Sequence, residues 1–248
     1  MNTKTIIASF AVAGMLLSGA AVAAGQTQWS YSGTTGPEKW GTLAPEFATC
    51  STGKNQSPVN LTGMIEGELP ALEVHYKRGG HEVINNGHTI QINYAPGSHM
   101  AIDGKSYELK QIHFHSTSDN MIDGRSFPLE THFVHVDKAG HIAVVAVMHE
   151  VGRANTELGK AWVQMPMKKG GKAALKNTID AAALLPQNQQ YYRYNGSLTT
   201  PPCTEGVRWF VMKSVDTASQ EQVDKFMRAM LHANNRPVQP LNARIIVQ

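Results

Sequence analysis

The chain is poor in cysteine, in net charge and in long apolar runs, and each shortage removes a class of explanation. Only two cysteines, Cys50 and Cys203, occur in 248 residues. Neither has a second Cys or a His at ligand spacing, which argues against a cysteine-based zinc site. In an exported chain an isolated pair reads as a disulfide, with two unpaired buried thiols as the rival reading. Closing so long a loop is worth roughly 5 kcal/mol in the chain-entropy model. Formal net charge is only +3, which argues against nucleic acid as a partner. Lys168, Lys169, Lys172 and Lys176 form a local basic run that reads as a solvated helix face or loop. No internal repeat and no low-complexity linker interrupts the chain.

The one long apolar run, Ile6 to Leu17, is too short to span a bilayer. With Lys4 before it and Ala21-Val22-Ala23 after it, it reads as the core of a secretory signal. Residues 1–23 are therefore expected to be a signal peptide and 24–248 a single exported domain, periplasmic or secreted, with no membrane attachment after cleavage. The amount of apolar residue, 42%, suits a globular body.

From Gln28 to Pro58 the residues are rich in Gly, Pro, Ser and Thr, and an irregular arm is expected in which Trp29, Tyr31 and Trp40 are buried. Beyond Leu72 the signals are those of strands and turns. Asn86-Gly87 divides Glu82–Asn85 from Thr89–Tyr94, where Ile90, Ile92 and Tyr94 alternate with polar residues, predicting a hairpin. Asp103-Gly104, Asp123-Gly124 and Asp137 to Gly140 predict further turns. Ile142–Met148 is apolar at every position, predicting a central strand covered on both faces with the two histidine-bearing strands as its neighbours. Helices are few. Asn155 or Thr156 is a candidate cap for one carrying Leu158, Trp162 and Met165. Ser219, with Gln222 three residues on, predicts another whose apolar face is Val223, Phe226, Met227, Met230 and Leu231. The fold class expected is mainly β with a few short helices.

The chemistry concentrates between Gln111 and His135, which hold four of the 11 histidines. His113 and His115 flank Phe114, and on a strand side chains two apart share one face at roughly 6.5–7 Å. In the next apolar run His132 shares a face with Glu130 and Val134, while His135 points the other way and reads as structural. If the two runs are neighbours, three imidazoles converge and leave a fourth position open, the pattern of a catalytic Zn2+ site. Glu130 can accept the second ring N–H of His132, and Gln111 can do the same for His113. Three neutral ligands leave the full metal charge to lower the pKa of bound water to about 7.

These residues reach a family. HFH, ETHFVH and YNGSLTTPPCTEGVRW closely resemble the α-class carbonic anhydrases, as do WSYSGTTGPEKW, NQSPVNL, the Asn86-Gly87-His88 turn and NNRPVQPLNAR, in the same order. The likeness spans the chain from Trp29 to its end. The resemblance implies a single domain on a large, twisted, mostly antiparallel central sheet, with zinc at the base of a conical cleft. It implies reversible hydration of CO2 to bicarbonate and a proton, by attack of zinc-bound hydroxide. His113, His115 and His132 match the zinc ligands. Thr199 matches the residue whose hydroxyl orients the hydroxide. Val134, Val144, Leu198, Val207 and Trp209 match the apolar wall that holds CO2, with Thr200 also assigned to the substrate pocket. His88 matches the proton shuttle, expected in a turn where an imidazole of pKa near 7 swings between cleft and solvent. Tyr31, Asn86 and Gln91 match the polar lining of the water path. Anions and sulfonamide-type inhibitors are expected at the zinc, and the protein is expected to be a monomer or homodimer.

One position departs from the family pattern. Asp119, in HFHSTSDN, stands where family members usually carry a glutamate that accepts the Thr199 hydroxyl proton. The shorter side chain keeps the charge and loses reach, so retained activity with a modest loss is expected. Two rival functions come from other classes. One is a non-catalytic binding or storage protein of the same fold, supported only by Asp119. The other is a cupin-type metal oxygenase, since His113, His115 and Asp119 loosely mimic a cupin ligand cluster.

Overall fold

A computed structural model describes residues 27–248; the signal peptide expected over 1–23 lies outside the described residues. Eight strands form the spine of the sheet: β1 (Gly80–Asn85), β2 (Ile90–Tyr94), β3 (Lys105–His115), β4 (Leu129–Val136), β5 (Ile142–Val151), β6 (Lys172–Ile179), β7 (Tyr191–Ser197) and β8 (Glu205–Met212). They lie in the order β6-β1-β2-β3-β4-β5-β8-β7. Three short strands bring the sheet to 11 among the described residues: Asp216–Ala218 beside β5, and Glu73–His75 paired through His99–Ile102 to β3. Pairing is antiparallel except where β8 and Asp216–Ala218 run parallel to β5. The architecture is thus the expected mainly β domain on a large, mostly antiparallel, twisted sheet.

Turn chemistry sets the local order as predicted. Gly87 takes φ +88° between β1 and β2, and Asp103, Gly104, Asp123 and Gly124 all take positive φ. The Asp137–Gly140 turn folds β4 back on β5, so β3, β4 and β5 form a meander. One expected adjacency is wrong. β5 has only one histidine-bearing neighbour, β4; its other edge pairs with β8. β3 and β4 are instead each other's neighbours, which is what brings their histidines together.

The period of two along β5 divides the core. Ala143, Val145 and Val147 enter the larger apolar cluster, and Val144, Ala146 and Met148 enter a second on the opposite face. The larger cluster is covered by α1 (Thr156–Val163) and α2 (Gln220–Met230). Asn155 caps α1 by accepting from the N–H groups of Glu157 and Leu158. A capping box between Ser219 and Gln222 starts α2. Val223, Phe226 and Met230 are buried as expected, but Leu231 is 86% exposed. It adopts the left-handed conformation that ends the helix, and this turns its side chain away from the apolar face.

The N-terminal arm is irregular, with short single turns such as Trp40–Leu43 and Thr49–Thr52. Trp40 is fully buried and packs with Cys50 and Cys203, which form the expected disulfide. Trp29 and Tyr31 are only half-buried, contrary to expectation, because they border a cavity.

Candidate metal centre

β3 and β4 pair with His113 directly opposite His132, and His115 opposite Glu130. Facing residues in an antiparallel pair stand on one side of the sheet, so three imidazoles meet over one spot. One nitrogen from each of His113, His115 and His132 lies within 4.8 Å of the others. The remaining nitrogens are committed to acceptors. His113 Nδ1 donates to Gln111 Oε1 at 2.9 Å, His115 Nδ1 to the Asn234 carbonyl at 2.8 Å, and His132 Nε2 to Glu130 Oε1 at 2.8 Å. These partners accept only, so they hold the ring protons and leave lone pairs on His113 Nε2, His115 Nε2 and His132 Nδ1. The 3.3 Å approach of His132 Nδ1 to His113 Nε2 is then two acceptors facing each other. His115 Nε2 is buried with no hydrogen-bond partner. Buried lone pairs that converge without a proton between them fit a cation, and three nitrogens with an open side fit zinc.

The electrostatics agree. Burial, then the neighbouring imidazoles of His132 and His115, hold His113 well below the ordinary histidine range. Burial also lowers His115, against the pull of Asp119. Both are therefore neutral and ready to ligate at pH 7. Burial alone would raise the Glu130 carboxyl, but His132 and the Asn120 amide outweigh it and hold Glu130 ionised. Asn120 donates both its main-chain N–H and its Nδ2 to Glu130, at 2.9 and 2.8 Å. Expected orienting roles for Gln111 and Glu130 thus have matching geometry. His135 faces the other core, bonded to the Tyr76 hydroxyl, as its structural reading requires.

Asp119 lies beside this cluster, with Oδ2 3.4 Å from His115 Nε2. Burial raises its carboxyl, while His115, His132 and the Thr199 hydroxyl pull it back. Its Oδ2 makes no well-formed hydrogen bond, although the Thr199 hydroxyl still acts on the carboxyl.

A cavity of about 160 Å³ opens beside His113 and His115; it is also lined by Trp29, Tyr31, Asn86, His88, Thr89, Gln91, Gln111 and Thr200. Larger concavities exist elsewhere on the surface, and chemistry rather than size selects this one. Val144, Val207 and Trp209 are buried in the second core cluster with Val134 and Leu198 packed against them, and the Trp209 ring lies 5.0 Å from that of His132. Asn86 spends its Oδ1 on the N–H groups of His88 and Thr89, and Gln91 Nε2 donates to Asn93.

His88 corrects an expectation. Its ring is not free in a turn but stacked on Trp29, with centroids 3.7 Å apart and planes at 10°. Burial first, then Lys169 and His232, push its pKa down to about 4 rather than near 7.

Two residues in the NNRPVQPLNAR segment were given no role by sequence reasoning. Asn234 holds His115 by its carbonyl, takes the Ser116 N–H on Oδ1, and donates Nδ2 to the carbonyls of His88 and Phe114. Buried Arg236 donates its main-chain N–H to Asp119 Oδ1. Their partners lie more than a hundred residues away, and the motif itself was the only signal.

Residues 35–248 match the family model for eukaryotic-type carbonic anhydrase. A carbonic anhydrase of Neisseria gonorrhoeae is 52% identical over 230 residues, covering 92% of this chain and 91% of that protein. The α-carbonic anhydrase from Thermovibrio ammonificans, solved in complex with the inhibitor sulfanilamide, is 48% identical with a TM-score of 0.88, covering 90% of this chain and 100% of that one. The Photobacterium profundum α-carbonic anhydrase is 47% identical with a TM-score of 0.85, covering 89% and 100%. These matches leave no place for the cupin reading. A three-histidine cluster on adjacent strands, the sheet that carries it and likeness along nearly the whole described chain agree: this chain belongs to the eukaryotic-type, α-class carbonic anhydrase family and is an enzyme of that class.

Proposed function

We propose that this enzyme hydrates carbon dioxide reversibly to bicarbonate and a proton, using zinc held by His113, His115 and His132. The observation that carries the reading is the convergence of three imidazole nitrogens whose ring protons are all committed elsewhere. When bound, zinc supplies a Lewis acid that brings the pKa of a coordinated water to about 7, so hydroxide is available at neutral pH. Gln111, Glu130 and Asn234 fix the tautomer and aim of each ring. The apolar side chains of Val134, Val144, Leu198, Val207 and Trp209 offer CO2 a dry wall beside His132, with Thr200 at the cavity lining. Thr199 orients the nucleophile by accepting its hydrogen bond, and Asp119 sets the direction of the Thr199 hydroxyl.

The proton leaves along polar groups. Tyr31, Asn86 and Gln91 line the cavity with His88, and His88 relays the proton to buffer once its ring comes off Trp29. In the stacked position its low pKa makes it a poor acceptor at neutral pH. Sulfonamides and small anions are expected to bind at the same centre. Export is supported by the disulfide, the chemistry of an oxidising compartment, and by the signal-like start, giving a periplasmic or secreted enzyme. Among the described residues no helix is long and apolar enough to cross a membrane. The deciding experiment is stopped-flow CO2 hydration with and without a zinc chelator. Chelator-sensitive hydration is expected, and its absence overturns the proposal.

A further inference from the structure

A second histidine stands beside Tyr31. α2 ends at Met230, Leu231 caps it at φ +66°, and the next residue, His232, is exposed. His232 Nδ1 lies 2.9 Å from the Ala233 carbonyl. A carbonyl only accepts, so Nδ1 carries the ring proton and Nε2 keeps its lone pair. The Tyr31 ring is 6.0 Å from His232 and 6.5 Å from His88, and Tyr31 and His88 both line the cavity beside His113. Two residues on, buried Asn234 bonds both the His115 ring and the His88 carbonyl, so the segment bearing His232 is fastened to the centre itself.

His88 alone is badly placed for a neutral-pH relay. Its ring lies flat on Trp29. Burial, the Lys169 ammonium and His232 all disfavour a proton on it. The exposed imidazole that Tyr31 also touches has none of that burial, and solvent buffer reaches it directly.

Resting on the function proposed above, we infer that His232 is an outer proton acceptor for the cleft, sharing proton export with His88 through water ordered at Tyr31. In each transfer an O–H bond of a cleft water breaks as an N–H bond forms at His232 Nε2. The imidazolium then gives that proton to a buffer base and returns to its Nδ1–H form. His88 and His232 oppose each other's charge, so the two load alternately rather than together.

The test uses the zinc-loaded enzyme and the variants His232→Ala, His88→Ala and the double change. In weak buffer His232→Ala is expected to lower kcat by at least about threefold, with kcat/KM for CO2 unchanged and added imidazole restoring the loss. The double variant should fall below His88→Ala. Apart from activity, 15N spectra of histidine-labelled protein should show neutral His232 as the Nδ1–H tautomer, and His88 should titrate at higher pH in His232→Ala. Unchanged kcat in weak buffer, or an Nε2–H tautomer at His232, would overturn the role of His232 while leaving CO2 hydration intact. A wild type without chelator-sensitive hydration would instead overturn the function, and the relay with it.

Discussion

Arg236 holds Asp119 through the main chain: its N–H donates to Asp119 Oδ1 at 2.9 Å, while its guanidinium turns to Gln56 and to the carbonyls of Ser57 and Cys50. One carboxylate oxygen is therefore committed, and Oδ2 is the oxygen left for Thr199. The anchor fixes where the short side chain places its carboxylate.

On the proposed mechanism, Asp119→Asn keeps the size and removes the charge toward which the Thr199 hydroxyl is directed. Loss of one charge-assisted hydrogen bond, about 1.5–3 kcal/mol, predicts a fall in kcat/KM of about 10- to 100-fold, with zinc content unchanged by metal analysis. Asp119→Glu restores reach and should stay active. A wild type without activity that glutamate rescues would show that the shorter acid disables the site.

Glu130 holds the His132 ring through its Nε2–H. Glu130→Gln should weaken zinc binding by about 10- to 100-fold, read by competition with a chromogenic chelator. Equal affinity in variant and wild type would remove Glu130 from the site.

Asn234→Ala strips three hydrogen bonds from a buried side chain. Leaving the Ser116 N–H unsatisfied and removing the bonds to the His88 and Phe114 carbonyls should cost about 2–4 kcal/mol, measured as a lower urea midpoint of the zinc-loaded protein. The carbonyl that accepts from His115 Nδ1 belongs to the main chain and stays, but it loses the side-chain bonds that fix its position, so zinc affinity should fall as well. A stable variant with wild-type zinc affinity contradicts this account.

Stability should fall in mild acid because of buried histidines. Burial brings His135 and His149 down to about 4 from an ordinary 6.5. Below pH 6.5 the unfolded chain gains protons that the folded chain refuses, so stability is lost as pH falls from 6.5 to about 4. Each site contributes at most about 3 kcal/mol. Urea midpoints between pH 7.5 and 4.5 should drop, and His149→Gln should flatten the slope. A slope that the substitution leaves unchanged would clear His149 of the effect.

The sheet class, the turns and both helix starts could be read directly, because each rests on neighbours in the chain. The pairing of His113 with His115 follows from the alternation of a strand, and Ser219 with Gln222 from the geometry of a first helical turn. Family likeness supplied Thr199, His88 and the apolar wall, which composition alone would have assigned to core or surface. Leu231 failed because a helical period says which face a residue takes but not where the helix stops.

What the sequence determined by itself is which histidines share one strand face and the strands that bear them, since period two on a strand is a matter of local sterics. The tertiary structure alone decided that His113 faces His132, that β8 rather than β3 flanks β5, and that Asn234 reaches back across 119 residues to His115. It also decided that His88 lies flat on Trp29, with its proton affinity reduced. Such contacts have no fixed spacing along the chain. They depend on sheet order and register, and those are settled by how the whole core packs.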